Sequence, residues 1–177
     1  MPQIGDVAPD FTATTTTGVL NFHGYIEGSW NVLFSHPADF TPVCTTEMSG
    51  FALDYQWFAD RNTKLMGLSI DSIHAHIAWV NNVKKNTGVL FDFPIIADID
   101  MGVSKLYGML MLQPGESETA AVRAVFFIDP SKKIRLIMCY PLNVGRSMPE
   151  IKRVLEALQT SDKHAVAMPL NWQPGEQ

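Results

Sequence analysis

The sequence has little cysteine, little charge and no long hydrophobic run. Its 177 residues include only two cysteines, Cys44 and Cys139, too few to staple a domain of this size, which excludes the small disulfide-bonded proteins. The 18 acidic residues outnumber the 13 basic ones, and the formal net charge of −5 argues against nucleic acid or an anionic membrane as the main partner. The apolar runs are far shorter than the roughly 20 residues that a membrane-spanning helix requires.

The amino-terminal residues show no basic region followed by an apolar stretch, so no secretory signal is predicted. We therefore expect a cytoplasmic, reducing location, where a lone cysteine is more often chemically active or buried than disulfide-bonded. A hydrophobic content of 46% is sufficient for an ordinary buried core. With no internal repeat or flexible linker, the length favours a single domain over residues 1–177.

The spacing of apolar residues predicts an α/β fold. Strand-length apolar runs alternate with segments of helical periodicity in the first half, and two strands followed by a helix close the chain. The predicted strands are 31–36, 64–70, 121–129 and 133–140. The predicted helices are 43–60, 73 to about 87, and about 149–158. We expect a central mixed β-sheet flanked by α-helices.

Cys44 lies where the first predicted strand gives way to a helix. Thr41 can cap that helix and Pro42 fits its first position, which puts Cys44 in the first turn. Unpaired backbone N–H groups and the positive end of the helix dipole favour a thiolate there, so the placement predicts an acidic cysteine. Position 47 is Glu, which excludes dithiol exchange within a C-x-x-C pair. The alternative for any single cysteine is a buried residue that only packs.

The twelve residues from His36 to Glu47 read HPADFTPVCTTE. This segment resembles the active-site signature of the peroxiredoxins, the AhpC/TSA type, and in particular the one-cysteine subgroup similar to peroxiredoxin 6. The resemblance implies a thioredoxin-like fold and a thiol peroxidase that reduces hydrogen peroxide and organic hydroperoxides, with no cofactor and no metal. Further stretches that carry the same resemblance are 5–11, 122–130, 140–141, 145–146 and 167–172.

The resemblance also assigns roles to single residues. Cys44 is implied to be the peroxidatic thiolate, which attacks one peroxide oxygen and becomes a sulfenic acid. Thr41 and Arg123 are implied to hydrogen-bond the peroxide and the thiolate, and Pro37 to shield the sulfur.

Three further residues are implied to act around these. Glu47 and Arg146 resemble the outer partners that hold Arg123 in place. His36 matches the histidine beside the cysteine in the one-cysteine subgroup, where it is expected to hydrogen-bond the sulfur or its oxidised form.

Cys139 is predicted to pack in the interior, with a role as resolving cysteine as the alternative. Resolving cysteines of the family commonly lie in a Val-Cys-Pro segment near the carboxyl terminus, and the matching residues 166–169 contain none. An external reductant is therefore expected: glutathione or another small thiol, ascorbate, or a thioredoxin-like protein. The family also implies a homodimer or a higher oligomer. Its usual C-terminal arm is expected to be absent or trimmed after about 170–177.

A lipase activity is disfavoured by the residues that would carry it. Some relatives of peroxiredoxin 6 also act as phospholipases through Ser, His and Asp. Ser29 and His23 lie at the matching places, but the matching Asp position is Ser131 and the surroundings of Ser29 break the G-x-S-x-G pattern. We expect Ser29 to be a surface residue of a turn.

Two patterns resemble metal sites but lack their requirements. His74 and His76 would point about 200° apart on a helix and cannot share an ion, so both are expected to be exposed helix residues. Asp98 and Asp100 begin like a calcium loop, but Met109 stands where such a loop needs Glu, which favours helix capping.

A protein of another functional class remains an alternative. A non-enzymatic redox sensor or a chaperone-like oligomer on the same fold would also retain an acidic Cys44. Consumption of peroxide over many turnovers with an added reductant separates the enzyme from both.

Overall fold

The computed structural model describes residues 1–110 and 120–176. The chain forms two compact units, Met1–Gly145 and Arg146–Gln177. The strands of the first unit are β1 Thr12–Thr15, β2 Gly18–Asn21, β3 Trp30–Ser35, β4 Thr63–Ser69, β5 Ile95–Ala97, β6 Arg123–Ile128 and β7 Ile134–Tyr140. Its helices are α1 Phe22–Tyr25, α2 Pro42–Leu53, α3 Tyr55–Ala59, α4 Ile73–Thr87 and α5 Gly102–Tyr107. The second unit contains α6 Met148–His164.

The seven strands form one mixed sheet in the order β2-β1-β5-β4-β3-β6-β7. The β3–β4 and β4–β5 pairs are parallel, and the others are antiparallel. Every residue of β3 and β6 is buried, as expected for central strands with both faces covered. The predicted mixed sheet with flanking helices is confirmed.

Helix α2 lies close against the sheet because two contacts fix it there. The rings of Phe34 on β3 and Phe51 on α2 stack with centroids 3.9 Å apart. Gly67 on β4 leaves room for Met48 of α2, since a β-carbon at Gly67 would lie 3.0 Å from the Met48 methyl. These contacts position the start of α2, where Cys44 lies.

Two predicted helix boundaries are wrong. The predicted helix 43–60 is interrupted at Asp54, whose backbone angles of −95° and 7° leave the helical region, so that α3 follows as a separate helix. Helix α6 continues to His164 rather than ending near Leu158. Its additional residues are polar, and an apolar pattern cannot detect a helical segment that faces solvent.

The apolar pattern also overlooked short elements, namely α1, β5 and α5, which have only three to six residues each. The threonine-rich stretch near Thr15 forms the end of β1 and the turn into β2, with Thr15 opposite Gly18. Among the described residues, the helices are too short or too polar to cross a bilayer.

Candidate active site

Cys44 occupies the first turn of α2, as the sequence predicts. Pro42 is at the first helical position and Thr41 is the N-cap residue with an extended backbone. The Cys44 side chain is fully buried. The Thr41 hydroxyl donates a hydrogen bond to the Ala38 carbonyl at 3.0 Å, which closes the loop that leads from β3 into the helix.

Arg123, the first residue of β6, brings a positive charge to this sulfur. Its Nη1 atom donates to Cys44 Sγ at 3.2 Å and to Glu47 Oε1 at 2.6 Å. Its Nε and Nη2 atoms both donate to the Leu142 carbonyl, at 3.0 and 2.8 Å. The guanidinium is nearly fully buried and its planar fork is held on two sides, so its orientation toward the sulfur is fixed.

The remaining predicted site residues are divided between the two units. Pro37 is half-buried in the loop after β3, and the Glu47 carboxylate lies one turn after Cys44 on α2. Arg146 begins the second unit, and its action on Arg123 stays a prediction.

His36 is buried and forms hydrogen bonds within a cluster that the sequence did not reveal. Its Nε2 atom lies 2.7 Å from Asp39 Oδ1, and the Nδ1 atom of His76 lies 2.5 Å from Asp39 Oδ2. His76 also reaches the Ile96 carbonyl through Nε2, at 2.9 Å. Asp39, in turn, donates from its backbone N–H to Asp71 Oδ2 at 3.1 Å.

The two partners in this cluster have displaced pKa values. Burial of Asp39 opposes its ionisation, but hydrogen bonds with His36 and His76 outweigh it and hold the pKa of the carboxyl below its ordinary value. Burial likewise opposes protonation of His76, and the Asp39 contact raises the pKa of the imidazole above its ordinary value. Both directions favour an ion pair.

The prediction that His74 and His76 are both exposed is wrong for His76. His74 is exposed, whereas His76 is fully buried. The reason is the same angle of about 200° that keeps the two from sharing an ion: when one points to solvent, the other points to the sheet.

The nitrogen–oxygen distances in this cluster fit hydrogen bonds better than coordination of a metal ion. The candidate ligand atoms of His36, Asp39, Asp71 and His76 all lie within 4.8 Å of one another. Ligands about 2.0–2.1 Å from a tetrahedral zinc ion would be about 3.3 Å apart. The nitrogen–oxygen distances of 2.7 and 2.5 Å are instead those of charge-assisted hydrogen bonds.

Asp98 caps α5, as the sequence predicts. Its carboxylate accepts the backbone N–H groups of Val103 at 3.0 Å and Ser104 at 2.7 Å. Asp100 accepts the backbone N–H of Gly102 at 3.1 Å, so both carboxylates serve the start of this helix.

Two family models match this sequence. The family model of the AhpC/TSA family matches residues 4–137, and that of the C-terminal domain of 1-Cys peroxiredoxin matches residues 157–177. The chain belongs to the AhpC/TSA family.

Its relatives are peroxiredoxins over almost the whole chain. Peroxiredoxin 2 of Caldanaerobacter subterraneus subsp. tengcongensis is 54% identical over 175 residues, which cover 99% of this chain and 78% of that protein. The mitochondrial peroxiredoxin of Saccharomyces cerevisiae is 48% identical over 183 residues, which cover 98% of this chain and 69% of the relative.

Two solved structures match the fold closely. A structure of yeast mitochondrial 1-Cys peroxiredoxin, studied for thiol resolution via glutathione/thioredoxin systems, has a TM-score of 0.92 at 48% identity and covers 99% of this chain and 85% of its own. A cysteine-to-serine mutant of peroxiredoxin 6 from Arenicola marina has a TM-score of 0.93 at 41% identity, over 99% of this chain and 82% of its own. The fold is thioredoxin-like, and the protein is a thiol peroxidase.

The other cysteine of this peroxiredoxin is not where the sequence predicts it. Cys139 was expected to pack in the interior, and that prediction is wrong: the residue is exposed. It lies on β7, the last strand of the sheet, which pairs with β6. Partial burial of the thiol still raises the pKa of Cys139, so its reactive thiolate form is less populated.

The three residues considered for a lipase each hydrogen-bond to a different partner. Ser29 is buried, which corrects the expectation of a surface position, and its hydroxyl donates to the Ile26 carbonyl at 3.3 Å. His23 contacts the Ala8 carbonyl at 2.7 Å. Ser131 donates to Asp129 at 2.7 Å. A serine nucleophile needs a base at hydrogen-bond distance. These hydrogen bonds do not join the three residues to one another, so they do not support a lipase site.

Proposed function

We propose that this thiol peroxidase acts through Cys44 by a one-cysteine mechanism. The thiolate attacks one oxygen of the peroxide, the O–O bond breaks, and the sulfur is oxidised to a sulfenic acid. The departing oxygen takes a proton and leaves as water from hydrogen peroxide or as an alcohol from an organic hydroperoxide. The observation that carries this proposal is the 3.2 Å contact between Cys44 Sγ and Arg123 Nη1 in a buried site.

Ionisation of the sulfur alone is too small an effect to make a peroxidase. An ordinary thiol of pKa about 8.5 is about 7% ionised near pH 7.4, so complete ionisation gains little more than a factor of ten. A thiol whose pKa is about 2 units lower also loses most of that gain in nucleophilicity, at a Brønsted slope of about 0.4–0.5. The remaining acceleration has to come from orienting the peroxide and stabilising the charge on its leaving oxygen.

We assign that remaining work to the groups fixed around the sulfur. Arg123 hydrogen-bonds the thiolate and the peroxide, and Thr41 adds its hydroxyl from the helix start. Pro37 shields the sulfur from solvent. The support for Arg123 is its two-sided anchorage on Leu142 and Glu47, which leaves its orientation unchanged while charge moves.

Three residues act outside this group in the proposal. Glu47 balances the charge of Arg123 and holds it, supported by their 2.6 Å ion pair. Arg146 also helps to hold Arg123. His36 hydrogen-bonds the sulfur or its oxidised form.

Regeneration of Cys44 requires a reductant from outside the chain. Two equivalents of thiol convert the sulfenic acid back to the thiol, releasing water and a disulfide. Glutathione and a thioredoxin-like protein are the preferred candidates because the yeast relative is described with those systems, and ascorbate is a third. Both cysteines of the chain are free, as expected in a reducing compartment, for which we propose the cytoplasm.

We also propose a homodimer, or a larger assembly built from dimers. The support is the position of β7 at the end of the sheet, where a strand of a second chain could pair with it. Sedimentation of the reduced protein over a range of concentrations measures this, and a monomer at micromolar concentration would contradict it.

Peroxide titration followed by intact mass tests the role of Cys44. The wild type and Cys139→Ser are expected to gain one oxygen atom per chain, and Cys44→Ser none. Uptake of oxygen by Cys44→Ser at the wild-type rate would overturn the proposal. With glutathione added, the wild type is expected to consume peroxide over many turnovers, whereas a redox sensor would be oxidised once.

A further inference from the structure

Beside the active site lies a buried group of three side chains, His36, Asp39 and His76, called here the His–Asp–His cluster. All three are almost completely inaccessible to solvent. They come from two parts of the fold: His36 and Asp39 lie in the loop between β3 and α2, and His76 lies on α4. Buried charges are costly unless they are paired and hydrogen-bonded. The stability of the cluster therefore depends on which of its nitrogen and oxygen atoms carry hydrogen.

The partners of His76 determine where its hydrogen atoms lie. Its Nε2 atom contacts the Ile96 carbonyl, which can only accept, so Nε2 carries a hydrogen. Its Nδ1 atom contacts Asp39 Oδ2, which accepts when the carboxyl is ionised. The pKa directions of Asp39 and His76 both place the shared proton on the imidazole. Both directions favour a protonated, positively charged His76.

An ionised Asp39 in turn selects one form of His36. The Nε2 atom of His36 faces Asp39 Oδ1 at 2.7 Å and must donate to it. A neutral His36 therefore carries its hydrogen on Nε2 and presents Nδ1 as an acceptor. The protonation of His76 thus determines the hydrogen position on His36, because both imidazoles contact the same carboxylate of Asp39.

Asp39 also anchors the loop that carries the proposed catalytic residues. Its backbone N–H is held by Asp71 at 3.1 Å. The next residue, Phe40, has a φ of +61°, a left-handed conformation that is costly for a side chain of this kind and has to be maintained by its surroundings. The hydroxyl of Thr41 closes the loop onto Ala38.

Helix α4 holds the other side of the same region. The indole of Trp79, one turn after His76, donates to the Thr45 hydroxyl at 3.2 Å, next to Cys44. Its ring packs against the His36 imidazole with centroids 5.1 Å apart. Two successive turns of α4 therefore contact the loop and the first turn of α2.

We propose that His76 is a positioning residue of the peroxidase: as a buried imidazolium it keeps Asp39 ionised, and Asp39 holds both the hydrogen of His36 on Nε2 and the loop that bears Pro37 and Thr41. This rests on the proposed function only in taking Cys44 as the reacting sulfur. His76 itself does not touch peroxide. Its effect on the reaction is transmitted through Asp39.

The protonation state is tested directly by nitrogen-15 NMR of the histidine side chains at pH 7.5. The expected spectrum shows one histidine with both ring nitrogens protonated, lost in His76→Asn and retained in His74→Asn. The titratable groups that face this ring are Asp39, His36 and Asp71. A neutral His76 at this pH would overturn the proposal.

The effect on the reaction is tested with two amide variants. The amide of Asn reproduces the Nδ1 position of His76 and can still donate to Asp39, whereas the amide of Gln reaches the Nε2 position and Ile96. His76→Gln is expected to slow oxidation of Cys44 by hydrogen peroxide about tenfold or more, and His76→Asn, which keeps the hydrogen bond to Asp39 but not the charge, to slow it less. Equal rates for the two variants would overturn the role through Asp39.

Further controls separate this inference from the proposed function. His74→Asn changes an exposed residue of the same helix and is expected to react like the wild type. If Cys44 of the wild type does not react with peroxide, the proposed function fails whatever His76 does. If Cys44 reacts and a folded His76→Gln reacts equally fast, only the positioning role fails. If His76→Gln does not fold, a neutral His76 in the wild-type spectrum or a wild-type rate of His76→Asn would overturn the positioning role.

Discussion

Arg123 Nη1 and Cys44 Sγ lie 3.2 Å apart although 79 positions separate the two residues in the sequence. The same nitrogen contacts Glu47, one turn further along α2. Strand β6 and helix α2 therefore meet at the sulfur, and the positive charge beside it comes from a part of the chain far from the cysteine signature.

Replacing Arg123 by Ala is expected to slow oxidation of Cys44 by far more than tenfold. Loss of ionisation accounts for only about a factor of ten, so a larger loss measures the peroxide orientation and charge stabilisation that the guanidinium provides. Stopped-flow oxidation by hydrogen peroxide and alkylation by iodoacetamide are compared at one pH. If both rates fall by the same factor, Arg123 acts through ionisation alone and the proposed role is wrong.

Replacing Glu47 by Ala is expected to lower the free energy of unfolding by about 3 kcal/mol, because it leaves the buried Arg123 without its carboxylate. Glu47→Gln keeps an acceptor oxygen and is the matched control, with a smaller loss expected. Urea denaturation of the reduced proteins measures both values. A loss below about 0.5 kcal/mol for Glu47→Ala, which is usual for exposed positions, would show that the ion pair contributes little.

The contact of Gly67 with Met48 predicts a stability loss that a second substitution relieves. A methyl group at position 67 would lie 3.0 Å from the Met48 methyl and 3.3 Å from the Phe34 ring, and overpacking of this kind costs about 1–3 kcal/mol. Gly67→Ala is therefore expected to destabilise the wild type but to cost less in a Met48→Ala background. Denaturant unfolding of the four proteins of this cycle gives the coupling, and simple additivity of the two changes would contradict the contact.

The ion pair of Asp39 and His76 predicts a pH window of stability. The pKa of Asp39 is lowered in the folded state, so its contribution is present above the unfolded value of about 4 and is lost as the pH falls through the folded pKa. The pKa of His76 is raised, so its contribution is complete below about 6.5 and is lost as the pH rises through the folded pKa.

The stability difference between the wild type and Asp39→Asn is therefore expected to be largest between about pH 4 and pH 6.5. Unfolding free energies measured in urea from pH 3 to pH 9 give this profile. His74→Asn, at an exposed position of the same helix, is the control and is expected to show no such window. A difference that does not vary with pH would indicate lost packing rather than a lost ion pair.

The local chemistry of the chain was sufficient to predict where Cys44 lies. Thr41 and Pro42 start a helix through their own backbone preferences, and these act over a few residues, so the first turn is placed before any tertiary contact is considered. The same is true of the strand-forming runs that became β3, β4, β6 and β7. The peroxiredoxin resemblance added Arg123 to the site, which no local pattern could have done.

Residue environments that depend on distant parts of the chain were decided by the tertiary structure alone. His76 is buried because α4 turns that face toward Asp39 and Ile96, whereas Cys139 is exposed on β7, the last strand of the sheet. Periodicity shows that a helix or strand has two faces, but which face is covered depends on the elements that pack against it. The hydrogen bonds from His76 through Asp39 to His36 join α4 to the loop between β3 and α2, and so they emerged only when the sheet and α4 were assembled.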